Sequence, residues 1–270
     1  MRLIEIRTDP RPVAIARVGV GLATILTSIE VYEILAAIAD GKLAMPVLPG
    51  VPAPTLPWLT VLVVLTIGAA IAVTIGWNTE KAAIVSVVLG IALLVWDQQT
   101  YSSHRLLATL LMAYLVFAKA GTAWSIRPVP GRPSVPWWPQ LLMMSQLSVL
   151  YLFSGLSKIN VWFISGMPLA SWVWIELPWQ TYAVAAVMTI VVELVIAVGL
   201  WFPSSRRVAV ILGLGLHFSI VVLMNHDTLA LLAFAITCVS LYPLFLFRPR
   251  IRDVRRGVGD AMTARATSAE

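Results

Sequence analysis

Residues Trp137 to Pro178 read WWPQLLMMSQLSVLYLFSGLSKINVWFISGMPLASWVWIELP, and the way this run accommodates its one lysine decides what the chain is. The stretch 137–157 is long and apolar enough to cross a bilayer, Lys158 stands at its far end, and a Trp-rich amphipathic segment follows. An ammonium in hydrocarbon costs at least ~2.5 kcal/mol on insertion scales. Lys158 must therefore reach the headgroups, find a partner, or give up its proton.

The rest of the chain has the same character. Of 270 residues 59% are hydrophobic and 12% charged, with a mean hydropathy of +0.88, which places the chain among polytopic membrane proteins. Apolar blocks predict eight spanning helices at 13–39, 56–76, 82–96, 105–121, 137–157, 180–202, 207–224 and 229–247. The fold class expected is an all-α transmembrane bundle. The connections are too short for a second globular unit, so one membrane domain is expected over 1–247, followed by a basic cytoplasmic tail, 248–270. The first block is too long for the apolar core of a cleavable signal and reads as a signal anchor.

Eight spans put both termini on one side, and the charges choose the cytoplasm. With that orientation fifteen Lys and Arg residues fall inside, against Lys42 and Arg105 outside, while Arg17 and Lys158 lie within or at the edge of spans. All eleven tryptophans then fall at predicted helix ends, where an amphipathic ring anchors the headgroup level. The chain is expected in the cell membrane, multi-pass, with the bilayer as its first partner. The net charge of +6 belongs to loop ends and tail, which is membrane topology and not a nucleic-acid footprint.

Metal chemistry has little to build on. There are three histidines, one cysteine (Cys238, inside an apolar block) and no HExxH or CxxC spacing. No metal is expected.

The uncommon polar residues gather toward the outer half of the predicted spans: Asp97, Gln98, Gln99, Tyr101, His104, Lys158, Asn160, Asn225 and His226. Glu193 and His217 lie deeper. Ionisable groups inside a membrane face a cavity or one another, so an outward-opening polar pocket is expected. Each group also has a plainer reading: Lys158 snorkelling, His104 solvated at a helix start, Asp97 a loop residue, Arg17 reaching the inner interface, Glu30 solvated or paired with Lys42. Glu193 and His217 cannot easily snorkel, and a protonated Glu193 or an interhelical hydrogen bond between the two would satisfy both.

Two stretches carry a family resemblance. Residues 98–126, QQTYSSHRLLATLLMAYLVFAKAGTAWSI, and 151–166, YLFSGLSKINVWFISG, resemble the membrane domain of the vitamin K-dependent gamma-carboxylase family, also called the horizontally transferred transmembrane domain. Weaker similarity lies in Arg17, Gly19 and Gly21, in LGLHFSIVVLMN, and in SLYPLF. The resemblance implies that Lys158 is a base that deprotonates a reduced quinone, with His104 in the same site on the extracytoplasmic side. Tyr101, Gly155, Asn160, Glu193 and His217 are the candidates for binding a quinone-like lipid in that pocket.

The sequence departs from that family in two ways. Ser157 stands where carboxylases often carry a second lysine, and residue 270 comes before any counterpart of the large domain that binds propeptide and glutamate. Carboxylation of peptidyl glutamate is therefore not expected. The resemblance leaves three readings: an enzyme, of lyase type or otherwise, that uses a quinone-like cofactor; a non-catalytic membrane partner in maturation or export of a secreted peptide; or a quinone-binding subunit of a redox assembly.

Overall fold

The computed structural model describes residues 3–127, 134–225 and 228–249. Its helices are α1 (Arg11–Ala39), α2 (Leu56–Ile75), α3 (Thr79–Trp96), α4 (Ser103–Phe117), α5 (Trp138–Ser157), α6 (Val161–Ile164), α7 (Met167–Trp172), α8 (Trp179–Gly199), α9 (Arg206–Leu223) and α10 (Thr228–Leu246). Two short strands, β1 (Arg7–Thr8) and β2 (Val135–Pro136), pair antiparallel at one end. Among the described residues seven helices are long and apolar enough to cross a membrane, and α4, with 15 residues, is shorter. Each of the eight expected segments is a helix; α6 and α7 lie in the connection between α5 and α8. His226 and the tail from residue 250, both singled out from sequence, lie outside the described residues.

The helices run up and down, so the bundle has two ends. One carries the 76–79 turn, residues 118–127 and 134–137, the 200–205 turn and the start of α1; here lie Arg7, Arg11, Lys81, Lys119, Arg127, Arg206 and Arg207. We call it the basic end. Lys158, His104 and the α6–α7 connection lie at the other. Exposed tryptophans, Trp77 and Trp124 at the basic end and Trp58, Trp162, Trp174 and Trp179 opposite, mark both.

Helix α1 is the axis of the bundle and packs against α2, α10 and α4. Its glycines make this possible. A Cβ on Gly19 would stand 2.1 Å from the Ser240 Cβ of α10, and one on Gly21 would stand 2.2 Å from the Thr74 hydroxyl of α2. Small residues let helix backbones approach where no hydrophobic effect drives them together.

Arg17 does not reach the interface as the sequence suggests. It is fully buried, and its guanidinium donates to the carbonyls of Ala120 (2.9 Å), Ala123 (3.2 Å) and Trp124 (2.6 Å). The physical reason lies in the connection after α4. That helix stops at Phe117, short of the expected residue 121, because Lys119 takes a left-handed conformation (φ 52°) and Ala120–Thr122 form a single 3-10 turn. The chain then folds back over α1, the Ser125 hydroxyl donates to the Gly76 carbonyl at 2.6 Å, and the freed carbonyls converge on Arg17. A planar guanidinium suits several acceptors at once.

Arg17→Met keeps the length and removes every donor. Each buried carbonyl left without one costs ~1–3 kcal/mol, so the purified protein should lose thermal stability by more than a surface Arg7→Met control does. An unchanged melting midpoint would show that the 120–124 connection is held by something else.

Candidate functional site

Tyr151, Ser154, Gly155 and Lys158 follow one another at helical spacing and share one face of α5. That face meets α8. Gly155 sets the separation: a Cβ there would stand 3.1 Å from the Leu194 side chain and 3.5 Å from the Glu193 Cβ. With the helices this close, Lys158 Nζ lies 2.8 Å from both carboxylate oxygens of Glu193. The Ser154 hydroxyl completes the cluster, accepting from Lys158 at 2.5 Å and donating to Glu193 Oε1 at 3.0 Å. The Phe163 ring of α6 lies 5.8 Å from the ammonium. Glu193 is 7% and Lys158 24% exposed, so the pair sits at the edge of the bundle with the carboxylate inward.

Of the three outcomes open to Lys158, the structure therefore selects a partner. The expected Glu193–His217 pair does not form. A carboxylate bonds more strongly to an ammonium than to a neutral ring, and α8 turns Glu193 toward α5. His217 Nε2 instead lies 2.6 Å from the Tyr151 hydroxyl, which lies 2.6 Å from that of Tyr242. This chain of three rings ties α5, α9 and α10 together in the core.

A second polar cluster occupies the N-terminus of α4. Ser102 caps that helix. Glu30 of α1 receives Arg105 Nη2 on one oxygen at 3.0 Å and meets His104 Nε2 with the other at 3.1 Å. Arg105 also donates to the Thr100 carbonyl. Two sequence expectations are corrected here: Glu30 pairs with α4 and not with Lys42, and His104, 16% exposed, is held and not solvated; Arg105, at the predicted start of the span, is buried. The cause is the length of α1, whose 29 residues carry Glu30 up beside α4. Asp97 likewise is no free loop residue. It is 2% exposed and accepts from the backbone of Met45 (2.6 Å) and Gln99 (2.9 Å), pinning the 40–55 connection.

Between the start of α4 and the end of α5 lies a groove of about 580 Å³, lined by Tyr101, Ser103 and Leu106 on one side and Phe153, Ser154 and Ser157 on the other. Its mouth is hydroxyl-rich, and its depth, along Leu110, Val149 and Leu150, is apolar apart from the amide of Gln146. Ser154 belongs both to this wall and to the Lys158–Glu193 cluster.

A family model, the HTTM domain, matches residues 6–249. The chain belongs to this family, the transmembrane domain family related to the vitamin K-dependent carboxylase. No curated protein and no solved structure matches it.

The seven site residues proposed from sequence sort unevenly within the HTTM domain. Tyr101 lies on the groove wall, and Lys158 and Glu193 are joined beside it. His104 is next to the wall residue Ser103 but belongs to the Glu30 cluster, so it and Lys158 have different carboxylate partners. Gly155 is buried on the α8 side and acts through packing. Asn160 caps α6, accepting from the Phe163 backbone at 2.9 Å. His217 is buried with Tyr151 and Tyr242. Sequence reasoning missed Ser154, Glu30 and the two tyrosines. Ser154 and Tyr151 were visible in the quoted motif at four and seven residues before Lys158; Glu30 carried no local signal of its partner.

Breaking a buried ion pair from one side leaves the other charge stranded and costs ~3–5 kcal/mol, less where water reaches the cluster. Lys158→Met and Glu193→Met should each lower the melting midpoint, and the double variant should lose less than the sum of the two. Glu193→Leu and His217→Leu, which remove members of different clusters, should be close to additive. The reverse pattern would mean that Glu193 belongs with His217.

Proposed function

We propose that this HTTM protein is an integral membrane enzyme, or the catalytic component of one, that takes a reduced quinone-like lipid into the groove between α4 and α5 and uses Lys158 as a general base. The observation that carries this reading is the Lys158–Ser154–Glu193 cluster on the wall of an apolar groove at the hydrophobic edge of the bundle.

The residues present suit such a group. A volume of about 580 Å³ is in the range of small-molecule sites, its depth matches an isoprenoid or ring system, and the hydroxyls of Tyr101, Ser103, Ser154 and Ser157 are available at the mouth for ring oxygens. When bound, a reduced quinone would supply an acidic, oxidisable hydroxyl. The protein's part is proton handling. An ammonium cannot act as a base, so this role requires that Lys158 first hand its proton to the Glu193 carboxylate 2.8 Å away; the amine is one hydrogen bond from the groove through Ser154. Ser154 keeps the amine oriented whichever of the two groups holds the proton. The Phe163 ring of α6, 5.8 Å from the ammonium, gives the cluster one apolar side. His104 contributes from behind the opposite wall, by holding the start of α4 to Glu30.

Charge asymmetry between the two ends supports a groove opening on the extracytoplasmic side. In a Cys238→Ala background, Ser171→Cys should react with an impermeant thiol reagent on intact cells and Ser134→Cys should not.

Lys158→Arg separates this reading from a structural one. Arginine can keep the pairing with Glu193 but is effectively never neutral. The variant should purify folded, retain a co-purifying quinone in native mass spectrometry, and lose menaquinol-dependent turnover in nanodiscs by ~100-fold or more, the scale of general-base catalysis. Full turnover in Lys158→Arg would remove the base role, and absence of any co-purified or added quinone from the wild type would remove the cofactor.

A further inference from the structure

A second recess lies at the basic end, far along the chain from the Lys158 groove and independent of how that groove is used. It has a volume of about 240 Å³ and is lined by Asn78, Thr79, Lys81, Lys119, Gly121 and Arg127. Four features converge on it. The first is the N-terminus of α3, an 18-residue helix whose leading residue Asn78 adopts a left-handed conformation (φ 42°) and gives no side-chain cap; such an end carries partial positive charge. The second is the charge balance. Lys81, Lys119 and Arg127 face one carboxylate, Glu80, which is taken by Lys119 at 2.8 Å. Lys81 and Arg127 are exposed, and neither has an ion-pair partner among the described residues.

The third feature is the Thr79 side chain, whose hydroxyl is buried without a hydrogen-bond partner in a residue only 5% exposed. A buried hydroxyl left unpaired is costly, and most are paired. The fourth is Gly121, on which a Cβ would stand 2.7 Å from that hydroxyl, so the glycine keeps the space in front of it open.

We propose that this recess binds a phosphate group. A phosphate has enough oxygens to receive the Thr79 hydroxyl and the first N–H groups of α3 while Lys81 and Arg127 balance its charge. Its position, at the end of spanning helices where headgroups lie, makes a phospholipid one source of that group; free phosphate or a small phosphorylated solute is the other.

The test uses the full chain in neutral detergent. Native mass spectrometry counts retained lipid after addition of phosphatidylglycerol or phosphatidylcholine, and a thermal-shift titration with inorganic phosphate reads the soluble arm. Lys81→Gln/Arg127→Gln changes only exposed side chains, Arg7→Gln is a control cation at the same end, and Thr79→Val removes the hydroxyl while keeping the shape. The wild type and Arg7→Gln should retain the ligand; Lys81→Gln/Arg127→Gln should weaken it about tenfold. Thr79→Val should melt higher than wild type without ligand, since an unpaired buried hydroxyl has gone, and yet hold the ligand less. Preferential retention of phosphatidylglycerol assigns a lipid headgroup, and a shift by inorganic phosphate lost in the variants assigns a soluble one. Binding of neither by the wild type, equal loss in Arg7→Gln, or full retention in Thr79→Val overturns the site.

Discussion

Inside a bilayer no water is present to satisfy a polar group, so every charge carried into the bundle must bring its partner with it. Arg17 shows how far this shapes the fold. Its guanidinium sits at the heart of the basic end and takes three carbonyls from a connection that would otherwise be irregular backbone in a poor solvent. The arginine and the loop solve each other's problem. Because α1 carries it, and α1 packs against α2, α4 and α10, the position of the axis helix and the path of the chain after α4 are settled together.

The same constraint, met by carboxylates, builds the opposite end. Glu30 gathers His104 and Arg105 onto α1, and Glu193 gathers Lys158 and Ser154 onto α8. These ion pairs do more than compensate charge. One fixes the start of α4, the other the end of α5, and the groove is the space left between the two helices so fixed. The apolar wall and the polar mouth follow from where each helix leaves the hydrocarbon. A site for an amphiphile thus arises where two charge-pairing problems are solved side by side.

The helices were legible from hydropathy because each apolar block had to be a helix to satisfy its own backbone. The end of α4 was not, since the turn at Lys119 frees carbonyls whose donor, Arg17, is more than a hundred positions away in the chain. Partners were harder still. Lys158 and Glu193 were both conspicuous, but which mid-span groups meet depends on the rotation and depth of each helix, and a uniformly apolar helix gives no stripe from which to read its rotation. For that reason the sequence suggested Glu193 with His217, whereas Gly155, by letting α8 close on α5, puts the carboxylate under Lys158. The local motif located half of the cluster; the facing helix supplied the rest.

The brevity of α4 has a consequence for the backbone on either side of it. Fifteen residues span only ~22 Å at 1.5 Å per residue, against a hydrocarbon thickness of ~30 Å, so non-helical chain must complete the crossing. A 3-10 turn stands at each end, Gln98–Thr100 before the helix and Ala120–Thr122 after it. Irregular backbone at such depth is tolerated only where protein supplies the missing donors, and here each turn is met by an arginine: Arg105 donates to the Thr100 carbonyl and Arg17 to that of Ala120. The two buried arginines thus stand in for the water that a short helix cannot reach.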